Sequence, residues 1–244
     1  MDFTSSATPR GPIFSAGSVT VHVPNDATRF ASLIPALEDF IGKATETAAV
    51  VRPELLSAQL ARPIAPLLTA ANRAIAAAIE NARDVAATTA RALVPPPPVA
   101  DAAARFGAEV RASVRGAAPG EQFAAVNRAT SVELAALLEA DGALSGLSPD
   151  ALSMARERAL KLFHIERTGL SGSNPALPSL DRIVVIGTDT ESTSAQADAA
   201  LERHKQRVGA VETDEAVLQH LVGFISAALA IPPAQALDKI MAAG

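Results

Sequence analysis

The chain has 244 residues, 49% of them apolar and 3% aromatic, the aromatics being eight Phe, with no Trp, Tyr or Cys. The absence of cysteine excludes disulfides, thiolate metal sites and a thiol nucleophile, and a core of Ala, Leu, Val and Ile suits close helix packing better than a large ligand cage. With 21 basic against 26 acidic residues and a formal charge of −5, there is no basic footprint for phosphate backbones and little to stack on bases, so no direct nucleic-acid binding is expected.

The N-terminus lacks a basic region followed by an apolar one, so no signal peptide is read there. Residues 1–26 read as an extended arm punctuated by Pro9, Gly11, Pro12 and Gly17. Within it, Val19-Thr20-Val21-His22-Val23 alternates apolar and polar, a short strand. Asp26 or Thr28 caps a first helix predicted to reach Val51, with Pro35 marking either its firm start or a kink.

Residues 27–94 form a helical region dominated by alanine. Pro53 suits a first turn. Leu60, Ile64, Leu67, Ala71, Ile75, Ile79, Ala82 and Ala86 recur at the three-and-four spacing of one helix face, and the straight part is predicted over 67–93. Alanine makes this helix easy to form but buries little area per turn, so its face calls for a broad surface to lie against. Ala78, Ala82 and Ala86 would admit a very close neighbour.

The run Pro95–Pro98 reads as a stiff polyproline connector, opening a C-terminal helical region over 99–244. A helix is predicted over 101–114, ending at Gly116-Ala117-Ala118-Pro119-Gly120. Thr130-Ser131-Val132-Glu133 matches a capping box, for a helix ending near Asp141-Gly142. Ser148-Pro149-Asp150 places a cap, a first-turn proline and a carboxylate for a helix to about Arg167, stopped by Gly169. After a loop over 171–179, residues 183–186 form a short buried-strand candidate. Helices over 194–208, 214–230 and 233–242 follow, Thr213 capping the second. The two strand candidates, 19–23 and 183–186, could pair with each other or add to a neighbouring subunit. The fold class expected is mainly α, a multi-helix protein with an extended N-terminal arm and at most two short β-strands.

Candidate chemistry is sparse. Ile183-Val184-Val185-Ile186-Gly187-Thr188-Asp189 looks like a strand leading to a carboxylate, as nucleotide sites begin, but no G-x-G-x-x-G follows. His164 and Glu166 could serve acid–base chemistry, yet residues two apart on a helix do not share a face. His22, His204 and His220 have no ligand partner at helical spacing. Gly169-Leu170-Ser171-Gly172-Ser173 is not a nucleophile elbow, and Asp141-Gly142 lacks the alternating carboxylates of a calcium loop. No catalytic, cofactor-binding or metal residue is therefore assigned. The longest apolar run, 217–231, contains Gln219 and His220 and falls short of the roughly twenty residues a transmembrane helix needs. A soluble protein is expected, in the cytoplasm or within an assembled particle.

In composition, residues 40–115 are similar to the phasins that coat polyester granules; that resemblance implies amphipathic helices binding a hydrophobic surface. The reading the residues favour is a non-enzymatic structural or assembly component, of a bacteriophage virion or a similar complex, with the hydrophobic-surface binder and an enzyme of unrecognised site as the alternatives. Its expected partners are protein subunits, with the chain a homo-oligomer. The arm and the shallow alanine face both call for a partner surface.

Overall fold

The computed structural model describes residues 2–95, 103–176 and 187–244. Among them the protein is mainly α, with ten α-helices and one three-stranded antiparallel sheet. The chain divides into two compact units, Met1–Val85 with Arg207–Gly244, and Ala86–Gln206. Pro96–Pro98 of the proline run and the strand candidate over 183–186 lie outside the described residues.

The first unit begins with the sheet: β1 (Phe3–Ser6), β2 (Ile13–Ala16) and β3 (Val19–His22), with β2 in the middle. Here the fold differs from the arm and two-strand expectation, because residues 3–16 supply two further strands. Phe3 sits opposite Ala16 and Phe14 opposite Val21, and all four side chains are buried. Strands of four residues carry only one or two inward side chains each, too short an alternation to stand out in sequence. Gly11 shapes the turn between β1 and β2. Its φ is +137°, and a Cβ there would come within 2.0 Å of the Val23 carbonyl oxygen, so only glycine fits. β3 pairs with β2; the described residues supply no strand to its other edge.

Helix α1 (Leu33–Val50) buries Leu33, Leu37, Phe40, Ile41 and Ala44 at helical spacing. Pro35 is its third residue, where no intrahelical donor is required, so it neither delays nor kinks the helix. Pro53 opens α2 (Pro53–Leu60), and Pro66 is the second residue of α3 (Ala65–Ala92).

In the second unit lie α4 (Ala103–Val114), α5 (Pro119–Arg128), α6 (Ser131–Leu137), α7 (Pro149–Thr168) and the single-turn α8 (Leu170–Ser173). The glycine–proline segment expected to end α4 also starts α5, with Pro119 in its first turn and Glu121 accepting from the Ala118 N–H at 3.2 Å. The capping box forms as read: Thr130 N–H donates to Glu133 Oε2 at 2.7 Å, and Glu133 N–H donates to Thr130 Oγ1 at 3.4 Å. Ser148 caps α7, and Gly169, at φ 65°, ends it. Val114, Val126, Leu134, Leu137, Ala155, Ala159 and Phe163 form this unit's core.

Two predicted helices prove to be one. α9 (Thr190–Leu229) runs 40 residues without a break and is followed by α10 (Pro233–Met241). Thr213 is not a cap; its hydroxyl donates to the Gly209 carbonyl at 3.0 Å, one turn back, so the threonine is accommodated inside the helix. The division between units falls inside both α3 and α9.

Candidate functional site

The first unit carries an open groove of about 620 Å³ between α3, α9 and α10. Its origin lies in how α3 distributes its small and large residues. Up to Ala71 the predicted stripe is the buried one, with Leu60, Ile64, Leu67 and Ala71 inside. Beyond it the buried line shifts to Ala74, Ala78 and Val85, while Ile75 is half-buried, Ile79 is 43% exposed and Ala86 is exposed. Ala74 and Ala78 thus turn inward, and the two isoleucines line the groove with Ala78 and Ala82. From α9 come Val211, Leu218 and Val222, and from α10 Pro233 and Leu237, the last 42% exposed. One turn beyond Leu237, Met241 is 54% exposed, extending the apolar surface along α10.

At the groove wall sits Asp214, buried to 2% exposure. Arg29 Nη2 donates to its Oδ1 at 2.9 Å, Arg29 Nε lies 2.8 Å from Oδ2, and Asn81 Nδ2 donates to Oδ2 at 3.2 Å. One guanidinium hydrogen bond, the ion pair and an amide thus meet on this carboxylate, which ties α9 to α3 and to the Thr28–Phe30 turn. Asp214 went unread as a site in sequence, although a signal was there. It falls in register with Val217, Leu221, Phe224 and Ala228, and a lone carboxylate on a buried stripe requires a cation.

The residues that sequence offered for chemistry are not brought together. Asp189 caps α9: its Oδ1 accepts from the Glu191 and Ser192 N–H groups at 3.1 and 3.0 Å, and its Oδ2 from the Ser192 hydroxyl at 2.6 Å. Those bonds, the Ser192 hydroxyl foremost, hold its carboxyl below the usual aspartate range. His164 is half-buried on α7 and Glu166 exposed. His204 Nε2 lies 3.2 Å from Thr89 Oγ1, and His220 is exposed. His22 Nε2 is buried with no hydrogen-bond partner among the described residues. Those residues hold no cluster of three or more His, Asp or Glu side chains that could bind a metal. Nor is any single helix among them long and apolar enough to cross a membrane. Compared with known families, curated proteins and solved structures, the chain matches none.

Proposed function

We propose that this chain is a non-catalytic structural component of a multi-subunit assembly, and that a neighbouring subunit seats in the α3/α9/α10 groove. The observation that carries this reading is the exchange of roles along α3, where Ala74 and Ala78 pack inward while Ile79, 43% exposed, and the half-buried Ile75 line the groove. Burial within the monomer would favour covering Ile79, since each apolar Å² withdrawn from water gains about 25 cal/mol. Contiguous apolar surface left open marks an interaction site more often than scattered exposed leucines do. The Arg29–Asp214–Asn81 cluster adds support, because it fixes the groove wall before any partner arrives and so lowers the ordering cost of docking.

The test is the double substitution Ile79→Glu with Leu237→Glu, followed by native gradient sedimentation of the tagged chain from its source cells. The parent is expected to sediment as a complex heavier than the 25.0 kDa monomer. The variant should return to monomer with its far-ultraviolet circular dichroism unchanged. Identical sedimentation of variant and parent would overturn the reading.

A further inference from the structure

Charge is distributed unevenly around the groove, and this constrains what fits it. Its lining includes two charged side chains, both carboxylates: Asp214, already neutralised by Arg29, and Glu215. Glu215 is exposed and, among the described residues, accepts the Gln219 amide at 3.2 Å. Glu212, three residues earlier and so on the same side of α9, is also exposed, and neither glutamate has an ion pair among the described residues. On α3, Arg83 lies one turn beyond Ile79 and outside the lining, beside the equally exposed Glu80. The α9 margin is thus acidic.

Resting on the docking role proposed above, we infer that the occupant is an amphipathic helix of a partner protein, with an apolar stripe and Lys or Arg along the margin that meets α9. Three helices line an open apolar groove, the kind of surface that an i, i+3, i+4, i+7 stripe fills. Two unpaired glutamates on one wall give such a helix its lateral orientation and disfavour one with acidic residues there.

The experiment uses the full chain and two fluorescein-labelled peptides of about 14 residues, roughly 20 Å as helices, identical in their leucine stripe. One carries lysines along a single margin and the other glutamates. By fluorescence anisotropy the lysine peptide is expected to bind about three- to tenfold more tightly, an advantage that shrinks at high salt. Glu212→Lys with Glu215→Lys should reverse the order. Equal binding of both peptides would overturn the charge assignment and leave the docking role standing. Binding of neither, with Ile79→Glu/Leu237→Glu still dissociating the native complex, would overturn the helical occupant alone. Binding of neither, with that complex intact, would remove both readings. Displacement of the lysine peptide by unlabelled chain would replace the foreign partner with a second copy.

Discussion

In the first unit Phe3 of β1 meets Phe40 of α1 edge-on at 6.0 Å, and Phe40 meets Phe224 of α9 at 5.9 Å. These contacts close a core drawn from residues as distant as Phe3 and Ile240. In the second unit the buried cluster spans Val114 to Phe163, and its helices carry their own punctuation in Thr130, Pro119, Ser148 and Gly169. One unit is held by a few large side chains whose meeting depends on bringing both ends of the chain together. The other is held by local signals and by contacts between helices close in sequence. The contrast teaches where each is vulnerable: the first to loss of volume, the second to loss of caps.

The strongest challenge to this contrast is Phe224→Ala. Phe224 is fully buried, and removing its ring leaves a cavity beside Phe40. A loss of about 3–5 kcal/mol is expected in denaturant unfolding. Amide exchange should quicken in β1 and α1 while α4 to α7 keep their protection. Equal loss of protection in α4 to α7 would break the contrast.

Next in size is Asp214→Ala. It strands the Arg29 guanidinium and the Asn81 amide that now share the carboxylate. Removing one partner of a buried pair is costly because the other keeps its desolvation penalty, and Arg29, at 27% side-chain exposure, recovers part of it from water. The expected loss is about 2–4 kcal/mol by urea titration. Asp214→Leu combined with Arg29→Met should cost less than the single change. If the double variant is no better than the single, the pair contributes more than mutual neutralisation.

These two residues also show what sequence made legible. The second unit was largely readable, because a cap, a proline and a stop glycine act on their own neighbours and leave local marks. Helix α5 escaped because Pro119 serves both as the end of one signal and the start of the next. The first unit was less readable. Strands β1 and β2 gain their stability from Phe3 and Phe14 packing on distant helices, a contribution invisible within four residues. The continuity of α9 was hidden for a similar reason: Gly209 and Thr213 weaken the local helix signal, whereas the Asp214 pair and the Val217–Phe224 face hold the helix through tertiary contact. As for the groove, the α3 stripe was visible, but which residues face inward depends on where α9 lies. The shift from Ile75 and Ile79 to Ala74 and Ala78 is therefore a tertiary fact.

The smallest expected effect probes the local side of the contrast. In the capping box, the Thr130 backbone N–H and then its hydroxyl hold the Glu133 carboxyl below the usual glutamate value of 4.5. A group whose pKa is depressed by folding contributes stability that is present above its unfolded value and lost as pH falls through the folded one. At neutral pH Thr130→Ala should therefore cost about 1 kcal/mol, the ordinary value of a lost N-cap. Below pH 4.5, as pH falls through the lowered folded-state value, the parent's own box loses its carboxylate, so the difference between parent and variant in thermal unfolding should narrow. Thr130 is exposed and Glu133 half-buried, and solvent screening keeps the pH-dependent part to a fraction of that total. A gap that stays constant from neutral pH into acid would show that the hydroxyl's bond to the Glu133 N–H supplies the whole effect, with the carboxylate merely resting beside it.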